Sequence, residues 1–291
     1  MRWFYLKNGT QNSEIDRLEA KTPTAVIYFG ETRVKEFLAG KGDKQGQDFC
    51  KAGLSKNRNK TTIVLTCRGV VWLLQPASEV REEKRRKHEN GDPYIPKTMT
   101  VKILAKKDSM DVPAVLAGIG ANAYLGRGTF REISHWGDIK AIEMVLGRGI
   151  PKEHKDEGPE QLLECLSSVE LETLVAKLFE AAGCFVAAYR GGTTMAVDVV
   201  THNDTAKSIH LDGITIKPRS RISVQVKGWQ SGMTCSDAVD YLIGLDVKIG
   251  AKTFGATWLL NQVRQFPDVA KWLHRSLNWL PNDYLKQWKL A

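Results

Sequence analysis

The chain has 291 residues, 42% hydrophobic and 26% charged, enough apolar material for folded cores, which excludes a disordered or collagen-like chain. No apolar stretch approaches the length of a membrane span, and the first fourteen residues lack the apolar run of a secretory signal, so the expected setting is cytoplasmic, with no membrane partner. Five scattered cysteines (Cys50, Cys67, Cys165, Cys184 and Cys235), odd in number and without a CxxC pair, argue against a disulfide framework and a structural zinc site.

Residues 1–155 hold 28 Lys and Arg against 18 Asp and Glu, whereas residues 156–291 hold 14 against 15, so the net charge of +9 belongs to the N-terminal half. That asymmetry suggests a polyanion partner for the half, with plain solubilising charge as the alternative. Strands are predicted at Ala25–Phe29, Thr62–Leu65, Val70–Leu74 and Thr100–Leu104, with a hairpin turn at Arg68-Gly69. The charged run Arg81–Asn90 reads as a solvated helix or mobile loop. The glycine-rich stretch Gly118–Gly128 lacks the G-K-[ST] of a phosphate-binding loop and reads as flexible, with Asn122, Tyr124, Arg127 and the nearby Arg131 as candidate nucleic-acid contacts. Trp72, Tyr94 and Trp136 are candidate stacking platforms, though core positions are the commoner role. Ile139–Leu146 reads as a short helix or a closing strand. The sequence thus predicts a separate basic α+β domain over 1–148, a polar linker rich in glycine and proline at 149–159, and an α/β domain over 160–291.

In the second domain Ser167 and Glu170 have capping-box spacing, and Leu171, Leu174, Val175, Leu178 and Phe179 continue at helical intervals to Gly183. Strands are predicted at Cys184–Tyr189, Ala196–Thr201 and Arg221–Lys227, with turns at Gly191-Gly192, Asn203-Asp204 and Asp212-Gly213. Beyond them come a helix over Cys235–Leu245, a strand over Thr257–Leu260, a helix over Pro267–Ser276 and a final short strand over Leu277–Leu280.

Asp198 is a carboxylate set among valines, and alternation places it with Ala196 and Val200, away from Val197 and Val199. In the other strand Ile222, Val224 and Val226 share one face, while Ser223, Gln225 and Lys227 share the opposite one. If the strands are antiparallel neighbours, Asp198 meets Gln225 and Lys227 on one surface. Hydrolysing a phosphodiester with a divalent metal needs such oxygen ligands and a group that positions water. Each residue alone would be an ordinary polar strand position; the combination is what points to chemistry.

The stretch Leu166–Gly183, Arg190-Gly-Gly, Val197-Asp198 and Val224-Gln-Val-Lys227 resembles the Mrr-type restriction endonuclease family of the PD-(D/E)xK superfamily, in its Q-x-K variant. The resemblance covers about residues 160–230, runs more loosely to about 285, and does not extend to residues 1–150. It implies a restriction-endonuclease-like mixed central sheet flanked by helices, and cleavage of double-stranded DNA, foreign or modified, with Mg2+, for which Mn2+ can substitute. Asp198 and Gln225 would then hold the metal, Lys227 would position the attacking water, and Glu172 would reach the metal through a water. One active site cuts one strand, so a homodimer or sequential nicking is implied. The sequence departs from the family in Thr193–Ala196 ahead of the aspartate and in extra residues around Ser208–Arg219, where Lys217, Arg219 and Arg221 are candidate DNA contacts. Two other roles stay open at this point: a repair or branched-DNA nuclease, and a non-catalytic DNA-binding protein with a vestigial nuclease fold.

Overall fold

The computed structural model describes residues 1–121, 129–150, 158–189, 197–228 and 233–288. They form a mixed α/β protein that divides into two compact units, Met1–Arg148 and Gly149–Ala291.

In the first unit the strands are β1 (Arg2–Leu6), β2 (Thr24–Tyr28), β3 (Thr61–Cys67), β4 (Val70–Pro76), β5 (Arg81–Glu82), β6 (Arg86–Lys87), β7 (Pro93–Tyr94), β8 (Pro96–Asp108) and β9 (Phe130–Glu132). The main sheet runs β2-β8-β4-β3-β1-β9, with β5 also paired to β8. Its neighbours are antiparallel except β1 and β3. The hairpin between β3 and β4 closes on Arg68 (φ 51°) and Gly69 (φ 73°), a pair of left-handed residues whose twist matches the flanking strands. Phe4, Leu6, Ile27, Phe49, Ile63, Leu65, Trp72 and Phe130 fill the core, so Trp72 is no free stacking platform. Tyr94 is also buried and Trp136 half-buried.

Several elements went unforeseen, among them β1, β9, the helix Val34–Leu38 and the helix Lys44–Ala52, whose N-cap Asp43 accepts the Gln45 N–H. Arg81–Asn90 is neither helix nor free loop. It contributes β5 and β6, exposed strands held down by ion pairs from Arg33 to Glu82, Arg17 and Arg86 to Glu83, and Arg85 to Glu31. The long strand β8 offers backbone partners that the charge pattern could not reveal. Ile139–Leu146 falls largely within a helix, Trp136–Val145.

In the second unit the strands are β10 (Phe185–Tyr189), β11 (Val199–Asn203), β12 (Ile209–Leu211), β13 (Ile214–Ile216), β14 (Ser220–Lys227), β15 (Tyr241–Gly244) and β16 (Thr253–Phe254). Five of them form a mixed sheet, β10-β11-β14-β15-β16, antiparallel through β14 and parallel beyond it. The helix Ser168–Ala181 starts at the expected box: Ser167 Oγ accepts the Glu170 N–H, and the Glu170 carboxylate accepts the Ser167 N–H. Its Leu171, Leu174, Val175, Leu178 and Phe179 join Val199, Val224, Val226 and Ile243 in one core.

Three predictions here are overturned. Cys235–Leu245 holds strand β15 in place of a helix: Tyr241-Leu-Ile-Gly244 is a central parallel strand, buried on both faces, and so lacks alternation. Thr257–Leu260 lies inside the helix Ala256–Gln265, whose buried Ala256, Leu259, Leu260 and Val263 follow helical spacing. Leu277–Leu280 is a turn between the helices Pro267–Ser276 and Asn282–Lys286. The extra residues before β14 form a separate two-stranded sheet, β12–β13, closed by Gly213 at φ 76°. The Gly191-Gly192 turn lies outside the described residues.

Candidate active site

Strand β14 alternates as the sequence requires, with Ile222, Val224 and Val226 buried and Ser223, Gln225 and Lys227 half-buried. Strand β11 is its antiparallel neighbour. Register sets Val199 opposite Val224, yet the Val224 carbonyl also accepts the Asp198 N–H at 3.0 Å. Two consecutive residues thus face one, the pattern of a β-bulge, a device that re-aims side chains beside active sites. Simple alternation across Val197–Val200 therefore fails: Asp198 (4% exposed) and Val199 (0%) are both buried. From the bulge, Asp198 Oδ2 accepts the Val226 N–H at 2.7 Å and lies 3.9 Å from Lys227 Nζ. The expected convergence of Asp198 and Lys227 is present.

Burial pushes the Asp198 carboxyl above the usual carboxylate range, while the Val226 N–H and Lys227 pull it back. Glu172, half-buried near the start of Ser168–Ala181, is raised by burial first and by the Asp198 charge second, with Lys227 opposing. Glu172, Asp198 and Lys227 therefore share one field. With all three ionised, two carboxylates face a single ammonium, a surplus of negative charge that a cation would relieve. Gln225 does not hydrogen-bond to Asp198. Its half-buried amide has no side-chain hydrogen-bond partner among the described residues, so its oxygen is available.

Two features of the site escaped sequence reasoning. One is the Val226 N–H, since nothing in a side-chain pattern marks which backbone donor a carboxylate will take. The other is Gly244, opposite Lys227 in the parallel register. A Cβ there would press into Val247 Cγ1 and lie 2.9 Å from the Lys227 carbonyl oxygen, which itself accepts the Leu245 N–H. A glycine closing an apolar run was the available signal. Ser223, on the same face as Gln225, is bound through its N–H (2.7 Å) and Oγ (2.9 Å) to the Asp240 carboxylate, tying β14 to the segment ahead of β15.

Lys217, Arg219 and Arg221 are exposed and form no ion pair among the described residues. Ser220 N–H donates to the Lys217 carbonyl (3.3 Å) across a turn in which Arg219 holds φ 57°, a place usually given to glycine or asparagine. Arg221 shares the Gln225 face, four residues or about 13 Å up the strand. Arg131 sits on β9 in the first unit, opposite Tyr5 and half-buried. Asn122, Tyr124 and Arg127 lie outside the described residues.

Among the described residues no three His, Cys, Asp or Glu side chains gather as a metal site. Magnesium is bound by fewer protein ligands than that, commonly one or two carboxylates with water completing its shell. Asp198, Glu172 and the free amide of Gln225 fit that demand in chemistry and charge. No family model, curated protein or solved structure matches this chain.

Proposed function

We propose that the chain is a metal-dependent DNA endonuclease with a restriction-endonuclease-like second unit, acting on foreign or modified double-stranded DNA. The observation that carries this reading is the Asp198–Lys227 approach of 3.9 Å at a β-bulge, with Glu172 in the same field. The order of parts agrees with the resemblance: a capped helix, a strand, the aspartate strand, then the Q-x-K strand inside a mixed sheet.

In this reading Asp198 and Gln225 supply oxygens to Mg2+ or Mn2+, and Glu172 contributes through a water. The bound ion would polarise the scissile phosphate and make a water more acidic. Lys227 orients that water and offsets the charge gathering on the phosphate oxygens. The Val226 N–H keeps the Asp198 carboxylate aimed. Lys217, Arg219 and Arg221 contact the duplex backbone away from the cut, and a homodimer or two successive nicks completes a double-strand break.

Supercoiled plasmid incubated with magnesium, beside Asp198→Ala and Lys227→Ala, tests the proposal. Each variant should lose at least about 10²-fold in rate, the size typical for removing a group aimed at the transition state. Cleavage at equal rates by all three proteins would end it.

A further inference from the structure

The first unit carries an open cleft of about 710 Å³ lined by Arg33, Val34, Lys35, Val80, Arg81 and Glu82. Three of the lining side chains are cationic and one is anionic. The anion is already engaged: Glu82 Oε1 accepts the Val34 N–H at 2.7 Å, and Oε2 accepts Arg33 Nη1 at 2.6 Å. Glu82 also stands directly opposite Lys97 across the β5–β8 pair. Lys97 is fully buried and donates to the Gly30 carbonyl at 3.0 Å and the Phe29 carbonyl at 3.4 Å.

The carboxylate is thus outnumbered, and two cations at the cleft are left over. Arg81 and Lys35 form no ion pair or side-chain hydrogen bond among the described residues. Nearby arginines behave differently: Arg85 pairs with Glu31, and Arg86 and Arg17 pair with Glu83. Within the cleft, Glu82 therefore neutralises Arg33 and leaves Lys35 and Arg81 without a counter-charge among the described residues. Residues 1–148, with 26 Lys and Arg against 17 Asp and Glu, add a long-range field of the same sign.

We propose that this cleft binds a phosphoryl group, with Arg81 and Lys35 as its main contacts and Glu82 holding Arg33 in place beside them. A cleft of this size accommodates a mononucleotide as well as a backbone phosphate of a nucleic-acid strand. The shared chemistry is the phosphate, and Val34 and Val80 offer an apolar wall for the group that carries it.

The full-length protein, in EDTA so that cleavage plays no part, is titrated with a labelled single-stranded 12-mer, a labelled duplex and ADP. The comparison is with the double variant Lys35→Ala/Arg81→Ala and with Arg85→Ala, which removes an already paired arginine. Far-ultraviolet circular dichroism and thermal melts confirm that the variants are folded. The double variant should bind about tenfold more weakly at low salt, with a shallower salt dependence, and Arg85→Ala should bind nearly as the wild type does. Weakening seen with ADP assigns the cleft to a nucleotide, and weakening confined to the oligonucleotides assigns it to a strand backbone. Unchanged affinity of the double variant for all three probes, or absence of binding by the wild type, overturns the proposal. Because the Asp198 site is untouched and metal is absent, loss of plasmid cleavage and loss of phosphate binding are read separately.

Discussion

Lys227 Nζ stands 3.9 Å from Asp198 Oδ2, on a carboxylate that burial has already made harder to ionise. The folded-state carboxyl is raised, so its contribution to stability is present below the ordinary carboxylate range and is lost as pH rises through the folded value. Asp198→Asn keeps an oxygen for the Val226 N–H and removes the charge. It should melt above the wild type at pH 7, with the difference vanishing near pH 3. A wild type that is more stable than the variant at pH 7 would contradict the assigned direction.

The same charge surplus predicts a response to divalent cations. Any ion that binds only the folded protein stabilises it by about 2.7 kcal/mol at a hundred times its dissociation constant. Millimolar Mn2+ or Mg2+ should therefore raise the melting temperature of the wild type. The rise should shrink in Glu172→Gln and disappear in Asp198→Asn. An equal rise in Asp198→Asn would place the ion elsewhere.

Gly244 sets how closely β15 approaches Lys227. A methyl group there meets the Val247 side chain and the Lys227 carbonyl oxygen, and the carbonyl cannot retreat without moving β14. Overpacking of this kind costs about 1–3 kcal/mol. Gly244→Ala should lower the urea midpoint accordingly and reduce cleavage further than the stability loss explains, because the strand that carries Lys227 shifts. Wild-type stability and rate in this variant would show that the close approach is unimportant.

Much of strand β14 was legible because its alternation is strict: Ile222, Val224 and Val226 inside, Ser223, Gln225 and Lys227 on the other face. The capped helix was legible for the same reason, since Ser167 and Glu170 signal a boundary by local chemistry alone. The bulge at Asp198 was not, because an extra residue in a strand leaves no mark on composition. Strand β15 and the helix Ala256–Gln265 were read in reverse: short apolar runs have no period of their own, and tertiary burial decides between them. The phosphate cleft was hidden in a charge run whose signs were plain but whose pairings depend on Glu14, Glu31 and Arg33, distant in sequence.

Asn203 is fully buried at the end of β11, and its Nδ2 donates to the carbonyls of Lys207 (2.8 Å), Ile216 (3.0 Å) and Lys217 (3.1 Å). Its Oδ1 accepts from the Thr205 N–H and Oγ. One side chain thus closes the connection around β12–β13 and fixes the position of Lys217. Asn203→Ala strands several buried polar groups and should cost about 2–4 kcal/mol. Hydrogen exchange should quicken first in residues 203–217. Uniform loosening of the whole unit, with no preference for that stretch, would count against a local role.

Lys97 gives a test of the first unit's interior that is independent of any activity. It is 0% exposed, its ammonium is opposed chiefly by burial, and its pKa is pushed down to about 8. The unfolded chain holds that proton up to the ordinary lysine value near 10.4. Between these limits the unfolded state binds more protons, so the lysine's penalty falls and stability rises with pH. A displacement of this size corresponds to a change on the order of 3 kcal/mol across the window. Lys97→Met removes the titration but also leaves the Phe29 carbonyl without its ammonium donor, so the two proteins need not differ much at pH 7. What distinguishes them is the slope: measured by urea unfolding from pH 7.5 to 10.5, the wild type should gain on the variant steadily. Parallel curves would mean that Lys97 keeps its proton in the folded protein as readily as in the unfolded chain, stabilised by the two carbonyls and by the Phe37 ring 5.5 Å from its ammonium.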